Sequence, residues 1–376
     1  MRVAHLVTRV LGTSPEWEFV RVVTLLFVAG ALFRLIPVRL NGQKQLGARP
    51  GYLAWAAGAV AVVAVVGCTA VTVQQSDHPE AASRSDAASG SAADRTTASA
   101  AASSVTDPDK PYVGVFEPGA TTSYQAVTQF SSATGLPVRL SLYYSAWNNA
   151  FQNSFANSAS GKGAMPFVQM MPMGVSMAKI ASGGYDTYLR AYADAVRSYR
   201  SPVVIGFAPE MNGDWYAWGD GHTSPATYVA AWRHLVDVFR QAGANNAIFL
   251  WTVNDIDASS PSPEQWWPGA SYVTWVGIDG YYYRSTDTFQ SVFGTTIDAV
   301  RTFTSKRILI SETAVGPNSA VVSQIDGLFQ GVRQDDLLGV VWFDQAQDDG
   351  LYHQDWRLED DQAALEAFRR AAAFTG

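Results

Sequence analysis

From Lys110 to Gly376, short continuous apolar runs alternate with longer stretches in which apolar residues recur every three or four positions. Unbroken apolar runs suit strands buried on both faces, and the helical recurrence suits helices that lay one stripe on them. The pattern predicts strands at Tyr112 to Phe116, Arg139 to Tyr144, Pro166 to Met171, Val203 to Phe207, Ala247 to Thr252, Val273 to Ile278, Arg307 to Ile310 and Leu338 to Phe343. It predicts helices that include Tyr188 to Tyr199, Pro225 to Ala242 and Asp361 to Phe374. Eight strand and helix units in about 267 residues suit an α/β fold of the (β/α)8 TIM barrel kind. A doubly wound open sheet is the alternative, but no Gly-rich dinucleotide loop follows the first strand.

The residues before Lys110 have a different texture. Residues 1–52 carry seven basic side chains (Arg2, Arg9, Arg21, Arg34, Arg39, Lys44, Arg49) against Glu16 and Glu18, which predicts a basic, cytoplasmic N-terminal region. Leu53 to Val73 is uncharged and long enough to cross a bilayer, so residues 53–75 are expected to form a membrane or signal-anchor helix with everything after it outside the cell. A shorter run, Val22 to Phe33, is ambiguous as a second span. Val65-Val66-Gly67-Cys68 resembles a lipobox, which leaves lipidation at Cys68 open beside an uncleaved anchor and ordinary cleavage. Residues 76–109 are Ala, Ser, Thr and Asp with no aromatic, too polar to bury a core, and read as a flexible tether.

Composition narrows the chemistry. A single Cys among 376 residues excludes an internal disulfide, and a net charge of −7 with the excess acid in the barrel region excludes an electrostatic partner such as nucleic acid. The 12 Trp and 16 Tyr lie mostly beyond residue 110, where their flat faces and polar handles suit both a core and sugar stacking. His222, His234 and His353 lack the spacing of a metal site, no phosphate-binding Gly-rich loop or nucleophilic Ser elbow occurs, and no cofactor is expected.

Barrel chemistry gathers at the carboxyl ends of strands. After the fourth predicted strand comes Ala208-Pro209-Glu210-Met211-Asn212-Gly213-Asp214-Trp215-Tyr216, and after the seventh comes Ser311-Glu312-Thr313. Two carboxylates at those ends face one another across the mouth, which is the equipment for breaking a glycosidic bond with an acid and a nucleophile. A carboxyl separation of about 5 to 5.5 Å would mark retention of configuration. Tyr143, Tyr144, Trp147, Trp251, Asn254, Asp255, Asp279, Tyr282 and Asp344 also fall near strand ends, as does Glu117 after the first strand.

The run Glu210-Met211-Asn212-Gly213-Asp214-Trp215 resembles the acid/base motif of glycoside hydrolase family 26, TIM barrel enzymes typified by β-mannanases. The resemblance implies that Glu210 is the acid/base and Glu312 the nucleophile. It makes Trp215 and Tyr281, the latter in Trp275-Val276-Gly277-Ile278-Asp279-Gly280-Tyr281, candidates for substrate contact, with Trp342 as an aromatic floor under the sugar; Asn212 beside the acid and Tyr144 and Asp279 at their strand ends are further candidates. One departure is Pro209, where family mannanases carry His; Pro offers no donor, so mannan specificity is open. The resemblance implies a retaining endo-hydrolase of a β-linked polysaccharide, β-1,4-mannan first, and the N-terminal pattern adds the expectation that it is exported and membrane-tethered, as a monomer. Mixed-linkage β-glucan, β-1,3-xylan and a non-catalytic polysaccharide-binding role are the alternatives.

Overall fold

The structure, a computed structural model, describes residues 108–257, 260–346 and 354–373. The predicted basic region, the membrane helix at 53–75, Cys68, most of the tether and His353 lie outside the described residues. Among the described residues no helix is long and apolar enough to cross a membrane.

Eight parallel strands close into a barrel in chain order. They are β1 (Tyr112–Phe116), β2 (Leu140–Ala146), β3 (Met165–Met171), β4 (Val203–Phe207), β5 (Ala247–Asn254), β6 (Trp275–Asp279), β7 (Ile308–Thr313) and β8 (Gly339–Phe343). Closure is made by β1 against β8, in register from Tyr112 opposite Gly339 to Phe116 opposite Phe343. Every residue of β1, β4, β6, β7 and β8 is buried, which is why these segments read as unbroken apolar runs rather than as alternating ones.

Around the barrel run α1 (Gln125–Thr134), α2 (Asn153–Gly161), α3 (Met177–Ala181), α4 (Asp186–Tyr199), α5 (Pro225–Gln241), α6 (Thr295–Arg301), α7 (Val321–Gln334) and α8 (Gln362–Ala371). Their starts follow local chemistry. Ser224 caps α5 by accepting from the Thr227 amide with Pro225 in the first turn, and Asp361 caps α8 by accepting from Ala363 and Ala364. The buried face of α5, including Tyr228, Trp232, Leu235 and Phe239, packs on the barrel wall. Truncating one such large side chain to Ala costs about 3 to 5 kcal/mol.

Two expectations change in detail. The crossover from β5 to β6 carries a short 3-10 turn, Pro263–Trp266, in place of a full helix, since Pro261 and Pro263 interrupt any helical run there. The seventh strand extends to Thr313, so Glu312 lies on β7 itself and not after it. The β-branched and small residues Ile308, Ile310, Ser311 and Thr313 let that strand continue toward the mouth.

Candidate active site

Glu210 sits three residues past β4 in an unusual turn. Ala208 and Glu210 both take left-handed backbone angles, φ 47° and 56°, on either side of Pro209. Such conformations cost non-glycine residues about 1–3 kcal/mol each and persist only where surroundings enforce them. Here the Ala208 amide donates to Met170 and the Glu210 amide to Thr252, at 3.0 and 2.9 Å, tying the turn to the ends of β3 and β5. The carboxylate that results accepts from Trp215 Nε1 at 2.9 Å on Oε2 and from Asn254 Nδ2 at 2.8 Å on Oε1.

Gly213 and Asn212 make that arrangement possible. A Cβ on Gly213 would lie 2.0 Å from the Trp215 ring, so only glycine lets the indole fold back over its own loop to reach Glu210. Asn212 donates to the Asn254 carbonyl and accepts from the Asn254 amide, both at 2.9 Å, which locks the end of β5 to the acid loop. Its side chain is therefore a bracket behind Glu210, spent on backbone rather than turned to the cleft.

Across the mouth, Glu312 accepts from two phenols, Tyr144 on Oε2 and Tyr281 on Oε1. Burial and then the Glu312 charge push both tyrosines well above their usual range, so each remains a donor. Burial, followed by the Glu210 charge, raises Glu312 to about 8 against the pull of its two donors. Burial raises Glu210 as well, against Trp215 and Asn254. The two buried carboxyls thus hold a proton between them at neutral pH, the condition that one acid and one anion coexist.

Asp279 adds a third carboxyl at the end of β6. Ser311 donates to it at 2.5 Å, and burial, then the charges of Glu312 and Glu210, hold it well above the usual carboxylate range. Below it Gln169 donates to Thr252 at 3.2 Å across the barrel interior. Gly206 on β4 leaves room for that amide, since a Cβ there would overlap Gln169 Oε1 at 1.8 Å. The Tyr216 phenol lies within electrostatic reach of all three carboxyls.

Adjacent aromatics at three strand ends divide between mouth and wall. Tyr144 reaches Glu312 while Tyr143 turns outward to the Tyr192 hydroxyl at 3.2 Å. Tyr281 reaches Glu312 while Tyr282 packs on Phe293. Phe343 stacks on Phe116 at 4.7 Å and meets Tyr281 edge-on. Its neighbour Trp342 points the other way, edge-on to Phe368 of α8, with Nε1 donating to the Trp356 carbonyl. Trp342 is therefore not brought to the mouth and forms no floor there, because successive strand residues face opposite sides and Phe343 takes the inward one. Trp251 likewise packs outward on Trp267 and Phe303.

Trp147 closes on Tyr185, Tyr188 and Phe207. Glu117 and Asp344 meet each other at the β1–β8 seam, apart from the Glu210 and Glu312 pair. Residues that sequence reasoning passed over include Ser311, Phe116, Phe343 and Trp356, whose ring lies 5.1 Å from Tyr281 and 5.7 Å from Tyr283. Trp356 follows β8 in a segment without periodicity, so no pattern signals it; Ser311 could have been found as the neighbour of Glu312 on an inward-facing strand.

The family model for glycosyl hydrolase family 26 matches residues 183–356, a span that contains Glu210, Asp279, Tyr281 and Glu312. Endoglucanase H of Acetivibrio thermocellus is 28% identical over 272 residues, 67% of this chain and 29% of that protein. Mannan endo-1,4-beta-mannosidase A and B of Caldalkalibacillus mannanilyticus is 33% identical over 89 residues, 21% of this chain and 17% of that protein. The chain thus spans less than a third of the length of either relative. Among solved structures, a modular endo-beta-1,4-mannanase from Cellulomonas fimi has the same fold at a TM-score of 0.54 and 16% identity, covering 73% of this chain and 72% of that one. A family 26 beta-mannanase from Bacteroides ovatus does so at 0.53 and 13% identity, covering 72% and 90%. The closed barrel, the opposed carboxyls and the family model over residues 183–356 together support placing the chain in glycosyl hydrolase family 26.

Proposed function

We propose that the barrel is a retaining glycoside hydrolase that cuts within a β-linked polysaccharide, with β-1,4-mannan as its substrate. The observation that carries this reading is the unequal setting of two opposed, buried carboxyls. Glu312 is held by two phenol donors, which stabilise a carboxylate anion, while Glu210 is held by an indole and an amide. Phenols are the stronger donors, so the anion belongs on Glu312 and the proton on Glu210.

A Glu312 oxygen then forms a bond to the anomeric carbon as the bond from that carbon to the bridging oxygen breaks, and Glu210 gives its proton to the departing oxygen. Water completes the cycle: Glu210, now ionised, takes a proton from it as the oxygen attacks the anomeric carbon, and Glu312 leaves as a carboxylate.

Mixed-linkage β-glucan is a second reading, favoured by Pro209 and by the relative that matches the larger share of this chain, which is named an endoglucanase. The test is to measure new reducing ends from mannan, mixed-linkage β-glucan, β-1,3-xylan and cellulose, beside Glu312→Ala. Release from mannan that vanishes in the variant supports the first reading, release from glucan alone supports the second, and release from none contradicts both.

Export and tethering to the outer face of the cell membrane, as a monomer, complete the proposal. The uncharged run Leu53 to Val73, with basic residues before it and Asp77 and Glu80 after it, supports it. Protease added to intact cells should release the barrel; protection of the barrel inside them would contradict the placement.

A further inference from the structure

The turn that carries Glu210 is held from outside the strands by two side chains to which the proposed reaction gives no part. Trp218 donates from Nε1 to the Pro209 carbonyl at 2.7 Å, and Tyr228, on α5, donates from its hydroxyl to the Ala208 carbonyl at 3.1 Å. Both rings are buried, and Trp218 lies stacked on Tyr216 with centroids 4.3 Å apart. Pro209 has no amide hydrogen, so this turn can be anchored at that residue only through its carbonyl. The anchor falls between the two left-handed residues, where release of the carbonyl would let both relax toward ordinary backbone angles.

Rotation about that backbone moves the carboxyl of Glu210 away from Trp215 and Asn254, on which its aim depends. We propose that Trp218 is a positioning residue for the acid: its indole N–H, seconded by the Tyr228 hydroxyl, holds the Pro209 turn so that the proton of Glu210 points at the leaving oxygen. This inference rests on the glycosidase reading given above.

The consequence is selective. Positioning of the acid matters for a sugar leaving group, which needs a proton, and little for dinitrophenolate, which departs without one. The experiment compares kcat/KM of the full chain and of Trp218→Phe on glucomannan and on 2,4-dinitrophenyl β-glycosides of mannobiose and cellobiose, with Glu210→Ala as reference. Phe keeps an aromatic ring beside Tyr216 and removes the donor with the pyrrole half of the indole, a packing loss that would lower both substrates' values alike.

The polysaccharide value should fall about 10- to 100-fold while the aryl glycoside value changes by roughly 2-fold, the same direction of selectivity as Glu210→Ala. Tyr228→Phe should show a smaller loss of the same kind, and it carries the test where Trp218→Phe is unfolded by circular dichroism. Equal losses on both substrates, or no loss on either, would overturn the positioning role while leaving the glycosidase reading intact. Wild-type chain inactive on every substrate would overturn both.

Discussion

The Tyr144 phenol at the end of β2 donates to Glu312 on β7 although the two residues are 168 positions apart in the chain. Barrel closure brings them together, and Tyr281 on the other side of Glu312 completes a pair of donors on one carboxylate. Tyr144→Phe keeps the ring that meets Phe116 edge-on and deletes one donor. Its anion less stabilised, Glu312 titrates at a higher pH than in the unaltered chain. The acid limb of the kcat/KM profile should move to higher pH, with activity at pH 6 falling about 10- to 100-fold; an unmoved limb would remove the phenol from this role.

Glu312→Ala leaves no carboxylate to form the glycosyl-enzyme, so turnover should fall by roughly four orders of magnitude or more on any productive substrate. Added azide should restore part of it by attacking from the vacated side, with a glycosyl azide of inverted configuration as product. Activity close to wild type would take Glu312 out of the nucleophile's place.

Gly213→Ala tests the close packing of the acid loop. The added Cβ strikes the Trp215 ring, so the indole leaves Glu210 and one of the two donors on that carboxylate is lost. We expect kcat/KM to drop about 10-fold or more, with the quenching of Trp fluorescence by bound oligosaccharide changed as well. Unchanged kinetics would show that the ring is not required where it lies.

Stability should respond to pH at the β1–β8 seam. Burial raises Glu117 to about 7 and Asp344 to about 10, both above their unfolded values, so the folded state binds more protons and stability falls as pH rises through that window. Asp344 accepts from the Leu358 amide at 2.9 Å, and an Asn in its place keeps that bond while offering Glu117 a permanent donor. Asp344→Asn should therefore melt higher than wild type at pH 9, by roughly 3 °C or more, and equally at pH 5. Parallel melting curves at both pH values would show that no proton is shared there.

Much of the barrel was legible because parallel strands buried on both faces leave continuous apolar runs, and all eight reappear within a few residues of their expected bounds. Glu210 and Glu312 were legible as polar breaks at the ends of such runs. Pairs such as Tyr143 and Tyr144, or Trp342 and Phe343, were not: near a strand end an aromatic on either face is buried or half-buried, and only the pleat decides which one enters the mouth. Trp218 and Trp356 were hidden for a different reason, since their contacts depend on loop paths that carry no periodic signal.

The most direct test is to trap the intermediate. The chain is incubated with 2,4-dinitrophenyl 2-deoxy-2-fluoro-β-mannobioside or its cellobiose counterpart, and the intact mass and its peptides are measured. The account predicts a gain of one fluoroglycosyl unit, located on Glu312. A label on another residue would contradict it, as would turnover of glucomannan that forms no adduct and first releases product of inverted configuration.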